Sequence, residues 1–186
     1  MRKKLNPLLV LALTTGIVSA VSEIQPAHAY QEIKEMNLIS SFLDDNYKGM
    51  KEIYRHANEM KKQALPFNNK KHRDRYRFQP SDGHVRFILS RSRQLATRFK
   101  VVNGILYHSS LPNRNLIIKE SLDAIDSISV YSKRAIRAIK DNNYVLYLAS
   151  AEGIEKETVA LNKLLDEIEY SINENIEEYD AKKDAL

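Results

Sequence analysis

Apolar residues recur at alternating steps of three and four along four stretches of this chain. A repeat close to 3.5 residues is typical of helices that pack nearly parallel or antiparallel to one another. We therefore predict helices over residues 31–64, 84–102, 113–140 and 143–181. Helix breakers separate these stretches: Leu65-Pro66, Gln79 to Gly83, Asn103-Gly104, Leu111-Pro112-Asn113 and Asp141-Asn142-Asn143.

Each predicted helix carries one apolar seam, and these seams are predicted to form the core. The seam of the second helix, for example, holds Val85, Ile88, Ser92, Leu95, Phe99 and Val102. In the first helix the seam begins at Met36 and includes one amide, Asn46, while in the fourth it runs from Tyr147 to Tyr179. Ser92 and Ser132 are small enough to let neighbouring helices approach closely.

The pattern indicates an all-α fold. We predict an up-and-down antiparallel four-helix bundle with a long basic loop between helices 1 and 2. Only five Gly and five Pro occur, which argues against an all-β chain with a turn every ten residues or so. A three-helix bundle with a mobile basic segment is the main alternative. Residues 99–108 offer a second one, because Asn103-Gly104 between two β-prone arms is typical of a hairpin.

Residues 1–29 have the layout of a secretory signal peptide. Arg2 and its two neighbouring lysines precede an apolar stretch, and Ala27 and Ala29 supply small residues before a cleavage site. The apolar run is about 14 residues, shorter than the roughly 20 that span a bilayer. We therefore expect residues 30–186 to form a single helical domain without a transmembrane segment. The expected location is extracellular, or periplasmic in a Gram-negative host.

Candidate chemistry is sparse. The chain has no Cys, which excludes disulfide scaffolds, thiol catalysis and thiolate metal sites. His56 shares a helical face with Glu52 and Glu59, but no second such set occurs, and the three are expected to form an exposed, salt-bridged cluster. Nucleophile and phosphate-loop motifs are missing from the sequence. We predict no catalytic residues, no metal and no cofactor, and hence no enzyme.

Charge is strongly segregated along the chain. The whole sequence has a formal net charge of +5. Residues 61–100 contain 12 basic and two acidic residues, whereas residues 152–184 contain 11 acidic and four basic ones. One interpretation is that arginines of the second helix form ion pairs with glutamates of the fourth helix within the protein. The arginines are Arg86, Arg91, Arg93 and Arg98, and the glutamates are Glu155, Glu167, Glu169 and Glu174. The other is that the arginines face a partner.

Residues 65–83 lack an apolar period and are predicted to form the basic loop. Five cations and two aromatic residues occur between Lys70 and Phe78. Arg and Lys contact phosphate or sulfate groups, and aromatic rings stack on bases or sugars. The predicted partner-binding residues are Lys70, Lys71, Arg73, Arg75, Tyr76, Arg77, Phe78, Arg86, Arg91 and Arg93. The alternative is a solvated, protease-sensitive loop.

These features favour a secreted, non-enzymatic helical binding protein. Its partner would be a polyanion, an anionic surface or a protein, engaged through the basic loop and helix 2. One alternative is a toxin-like, membrane-active bundle whose amphipathic helices open onto a membrane. Another is a small-ligand carrier or enzyme whose interior pocket is lined by polar groups such as Asn46, His56 and Tyr147. The sequence does not indicate an oligomeric state.

Overall fold

The computed structural model describes residues 26–105 and 114–184 of the 186-residue chain. The chain divides into two compact units, Met1–Met36 and Asn37–Leu186. Of the first unit the structure describes residues 26–36, which form the beginning of the first helix. All contacts reported below lie within the second unit. Residues 1–25 of the predicted signal peptide lie outside the described residues, so the signal peptide stays a prediction.

Within the described ranges the fold is all-helical and contains no strand. Five helices pack against one another, four long and one short. They are α1 (Pro26–Ala64), α2 (Lys70–Arg75), α3 (Gly83–Ile105), α4 (Arg114–Lys140) and α5 (Tyr144–Asp184), with a 3-10 turn at Leu65–Asn68 between α1 and α2. The four long helices coincide closely with those predicted, and α2 raises the count from four to five.

Two expectations about local structure are corrected. The predicted loop over residues 65–83 contains the 3-10 turn and α2, so much of it is helical. The hairpin alternative is wrong over residues 99–105, because α3 continues through Asn103-Gly104 to Ile105. The remaining residues of that segment, 106–108, lie outside the described part. Since α3 forms as a full helix of 23 residues, the three-helix alternative also fails.

The seam residues are buried, as their spacing predicts. Every seam position of α3 is buried, from Val85 to Val102, and so are those of α5 from Tyr147 to Ile168. In α1 the seam is buried from Ile39 to Ala64, including Asn46. Among the described positions at this spacing, the exceptions are Leu122 and Ile139, two apolar residues of α4 that are half-buried and lie at the margin of the core.

Two pairs of contacts show how α1 packs. Against α3, Phe42 meets Phe99 edge-to-face with ring centroids 5.1 Å apart, and further along His56 meets His84. As the residue number rises on α1 it falls on α3, so these helices are antiparallel. Against α5, the hydroxyl of Tyr47 lies 2.6 Å from a carboxylate oxygen of Asp166, and Gln63 meets Tyr147. This pair of helices is antiparallel by the same argument.

Helix α4 contacts both α3 and α5. The hydroxyls of Ser92 and Ser129 lie 3.0 Å apart and join α3 to α4. Gly153 of α5 faces the ring of Tyr131 on α4. In the described contacts, each long helix thus meets two of the other three. In the part of the chain that the structure describes, no helix combines the length and apolar character needed to cross a membrane.

A three-residue turn joins α4 to α5. Asn142 adopts a left-handed conformation with φ of 55°, which Asn tolerates better than most residues. The backbone N–H of Asn142 donates to the carbonyl of Ile139 at 3.2 Å, and that of Asn143 donates to the carbonyl of Ala138 at 2.8 Å. This pair of bonds is a Schellman motif, which satisfies carbonyls at the helix end. The side chain of Asn143 then caps α5 by accepting from the N–H of Leu146 at 2.9 Å.

Candidate partner-binding surface

The connection between α1 and α3 is built from short ordered pieces. Pro66 lies in the first turn of the 3-10 segment, where its missing N–H costs nothing. Asn69 follows and caps α2, its side-chain oxygen accepting from the backbone N–H of Lys71 at 2.9 Å. At Tyr76 the backbone becomes extended, and α2 ends. The basic residues of this segment are therefore presented by a folded connection.

Two phenylalanines anchor this connection to the helices. Phe78 is 5% exposed and lies edge-to-face with Phe67 at 5.0 Å and with Tyr147 at 5.3 Å between ring centroids. Tyr147 is fully buried, and burial raises the pKa of its hydroxyl well above the ordinary value. Its hydroxyl donates to the side-chain oxygen of Gln63 at 3.1 Å. Phe78 is thus a core residue, which corrects its expected place on the partner-binding surface.

Arg73 is engaged within the protein. Its guanidinium donates to the carbonyls of Phe67 at 2.8 Å and Asn68 at 3.0 Å, both in the 3-10 turn. It also donates to the hydroxyl of Tyr144 at 3.1 Å and lies 5.6 Å from the centroid of that ring. Arg73 therefore holds the turn against the start of α5, a role that the run of cations in the sequence does not reveal.

Asn142 ties the connection to the α4–α5 turn. With its amide oriented to satisfy both neighbours, the nitrogen donates to the carbonyl of Phe78 and the oxygen accepts from Nε of Arg77 at 3.0 Å. This contact brings the basic connection to the end of α4, whose last turn carries Arg137 and Lys140. Both are exposed. The sequence did not indicate Arg137 and Lys140 as site residues, because they lie sixty residues from the basic run. Their position beside a predicted turn was the one feature of the sequence that pointed to an exposed site.

We define the basic surface as the exposed cations of these two neighbouring segments. They are Lys70, Lys71, Arg75, Arg77, Arg137 and Lys140. Within the described ranges, none of the six forms an ion pair with a carboxylate. Tyr76 is 59% exposed beside them, with its ring 4.6 Å from that of His72. The basic surface thus combines unpaired cations with one accessible aromatic ring.

Two arginines of α3 pair with α1 instead of α5. Arg91 lies 2.8 Å from a carboxylate oxygen of Glu52, and Arg98 lies 3.1 Å from one of Asp45. Among the described side chains, no ion pair joins α3 to α5, so the internal pairing predicted with Glu155, Glu167 and Glu169 is wrong. The side chain of Glu174 lies outside the described part. The reason is helix order, since the face of α3 that carries these arginines lies against α1. Arg91 is half-buried in this pair and is not free to meet a partner.

The two remaining predicted site residues of α3 differ from each other. Arg86 forms an ion pair of 2.6 Å with Asp82, one turn earlier at the helix start. Arg93 is exposed and, in the described part of the chain, has no ion pair. Within those residues, no ion pair joins either arginine to the basic surface, so neither is part of it.

Acidic side chains of α5 pair with α1. Lys61 and Glu155 lie 2.5 Å apart, and this bond lowers the pKa of the Glu155 carboxyl and raises that of the Lys61 ammonium. The hydroxyl of Tyr47 lies 2.6 Å from Asp166 and 2.8 Å from Glu169, and its pKa is raised well above the ordinary value, first by burial and then by these two bonds. These contacts use part of the acidic charge internally.

The polar groups considered for an interior pocket do not converge. Asn46 donates to the carbonyl of Phe42, His56 meets His84, and Tyr147 bonds to Gln63. An open groove of about 390 Å³ lies elsewhere, between α4 and α5, and acidic side chains line much of it. In the region that the structure covers, no three His, Asp or Glu side chains converge in a way that could hold a metal ion.

No protein-family model, curated protein or solved structure matches the chain.

Proposed function

We propose that the protein is a secreted, non-enzymatic binding protein whose basic surface engages a polyanionic partner. One observation carries the proposal: six exposed cations share two neighbouring segments, and none forms an ion pair within the described residues. Like charges held close together repel, and a partner bearing phosphate or sulfate groups relieves that repulsion and releases its own counterions.

The anchoring of the connection supports the proposal. Phe78 is buried and Arg73 bonds to two carbonyls of the turn, so the backbone that carries Lys70 and Lys71 is ordered before any partner arrives. A surface ordered in advance loses less conformational entropy on binding than a flexible loop would. Tyr76 adds a ring that can stack on a base or a sugar.

We also propose the architecture and location that this function needs. The four long helices would form an up-and-down antiparallel four-helix bundle, with α2 as a short helix in the first connection. The pairwise antiparallel contacts of α1 with α3 and with α5 support this arrangement. Secretion is supported by the basic, apolar and small-residue segments within residues 1–29.

Retention on immobilised heparin and on duplex DNA tests the basic surface. The full chain should elute from both at a salt concentration that falls sharply in the variant K70Q/K71Q/R75Q/R77Q. For duplex DNA, loss of each phosphate contact lowers the slope of log K against log salt by about 0.9, so four lost contacts lower it by roughly 3 to 4. A second variant, R137Q/K140Q, tests the contribution of α4.

A matched control separates the surface from net charge. K48Q/K51Q/K100Q/K156Q removes the same charge from exposed lysines outside the basic surface, and it should elute close to the parent. If both variants eluted at equally lowered salt concentrations, binding would depend on net charge and not on the basic surface. Retention that does not change with salt concentration would contradict an electrostatic mechanism. Release of dye from anionic vesicles without retention on either polymer would favour the membrane-active alternative.

A further inference from the structure

Two histidines from different helices meet through the same ring nitrogen. Nδ1 of His56 on α1 lies 2.7 Å from Nδ1 of His84 on α3, with ring centroids 5.0 Å apart. The His56 ring also stacks on the ring of Phe87, with centroids 4.1 Å apart and ring planes 25° apart. A separation of 2.7 Å is a hydrogen-bond distance, so one Nδ1 carries a hydrogen and the other offers its lone pair.

This contact has a simple protonation requirement. Two neutral rings form the hydrogen bond, and a pair that carries one extra proton also forms it, because one Nδ1 still has a free lone pair. When both rings are imidazolium ions, each Nδ1 carries a hydrogen and a positive charge, and the two N–H groups point at each other. The geometry therefore tolerates one added proton and opposes a second.

The charged groups around the pair compensate only partly for a second proton. The charged groups that act on His56 are Glu52, Arg55 and Glu59 on α1, together with His84 itself. Arg91 of α3 lies beside Glu52. Glu52 is already paired with Arg91 at 2.8 Å, and Glu59 with Lys62 at 2.7 Å. Burial, then the charge of His84 and then that of Arg55 lower the pKa of His56, against a smaller upward effect of Glu52 and Glu59.

We infer that His56 and His84 form an acid-sensitive contact that holds α1 against the start of α3 and that opens when both rings are protonated. His84 is the second residue of α3 and follows directly on the connection that carries part of the basic surface. Opening the contact therefore frees the helix start beside that connection. The inference does not rest on the proposed binding function, since it concerns only the packing of α1 and α3.

The direction of the pH effect follows from linkage. The pKa of His56 is lower in the folded protein than in the unfolded chain, so the unfolded chain takes up protons first as the solution is acidified. The stabilisation is fully present above the ordinary His pKa of about 6.5, and it is lost as the pH falls from that value through the lowered pKa of His56. Carboxylates titrate below this window and do not account for a loss within it.

Urea unfolding of the full chain at about pH 7.5 and about pH 5.5 tests the inference. The midpoint of the parent should fall on acidification, whereas H56Q/H84Q should keep the same midpoint at both values. H72Q is the matched control, because His72 lies outside the pair and contacts Phe67 and Tyr76, and it should show the same fall as the parent. An equal fall in the double variant would overturn the inference.

A measurement on the unaltered protein guards against a variant that fails to fold. In ¹⁵N-histidine NMR spectra, the two coupled rings should titrate in two separated steps, and their Nδ1 signals should report one shared hydrogen near neutral pH. Two rings that titrate in single, independent steps would overturn the inference even if no variant could be purified.

Discussion

At the scale of single residues, one contact between α4 and α5 depends on a glycine. A Cβ atom placed on Gly153 of α5 would lie 2.7–2.8 Å from three ring atoms of Tyr131 on α4, nearer than such atoms approach in real structures. Glycine in a helix interior lowers stability by about 1 kcal/mol relative to alanine. Its presence here is explained by the space that the tyrosine ring occupies.

We therefore expect Gly153→Ala to destabilise the protein, despite the better helix propensity of alanine. Overpacking of this kind costs about 1–3 kcal/mol, measured as the change in free energy of unfolding in urea. Gly83→Ala is the control, since its Cβ would meet only the hydroxyl of Ser81 at 3.4 Å. In a Tyr131→Ala background the penalty at Gly153 should disappear, and a penalty that persists there would contradict the steric explanation.

At the scale of helices, burial could be predicted because it follows from the spacing of apolar residues along the sequence. Contacts that depend on which helices lie side by side could not be predicted. A seam repeating every 3.5 residues reports burial directly, so the buried positions of α3 were predictable. Nothing in the charge pattern says which helices lie side by side, so the pairing of Arg91 with Glu52 was not foreseen. Helix α2 could not be predicted, because its six residues carry no apolar seam. The contact between His56 and His84 could not be predicted either, because it depends on the register of two antiparallel helices.

In the α4–α5 turn, two substitutions of Asn142 separate the effect of its backbone conformation from that of its side-chain contacts. Asn142→Ala places a β-carbon in the left-handed conformation without the compensation available to Asn, and it should cost about 1–2 kcal/mol of unfolding free energy. Asn142→Gly suits that conformation but loses the contacts to Phe78 and Arg77. We expect the glycine variant to retain most of the stability and yet be cleaved faster by trypsin at Arg75 or Arg77. Equal trypsin resistance of this variant and the parent would show that Asn142 does not hold the connection.

The ion pair between α1 and α5 predicts how the stability of the protein changes at low pH. The hydrogen bond from Lys61 lowers the pKa of Glu155, so the pair stabilises the fold above the ordinary Glu pKa and loses that effect as the pH falls through the lowered value. Glu155→Gln should therefore reduce stability by at most about 1 kcal/mol near neutral pH, and by less below about pH 4. Urea unfolding across that range measures it, with Glu157→Gln as a control on the same helix. A difference between Glu155→Gln and the parent that is independent of pH would contradict the assignment to the ion pair.

At the scale of the whole molecule, one buried ring links the core to the basic surface. Phe78 packs on Tyr147 inside the protein, while its neighbours Tyr76 and Arg77 are exposed. The sequence presented these three residues as one basic and aromatic run. Only the packing against α5 distinguishes the residue that anchors the surface from those that form it.

Phe78→Ala should therefore weaken polyanion binding without removing a cation. We expect a loss of about 3 kcal/mol in the free energy of unfolding, faster tryptic cleavage after Lys70 to Arg77, and earlier elution from heparin. Tyr76→Ala is the matched control, because its ring is 59% exposed and its removal should leave stability nearly unchanged. Unaltered heparin elution of a folded Phe78→Ala protein would show that an ordered connection is not needed for binding.

The short turn between α4 and α5 also bears on the order of events in folding. These two helices are joined by only three residues, so they can meet at a low entropic cost of closing the chain. Tyr144 and Tyr147, on which the basic connection packs, belong to this helical hairpin. We expect substitutions in the turn to slow refolding, whereas Phe78→Ala should mainly accelerate unfolding, as stopped-flow measurements would show. The basic connection would then be among the last parts of the chain to form and the first to come apart.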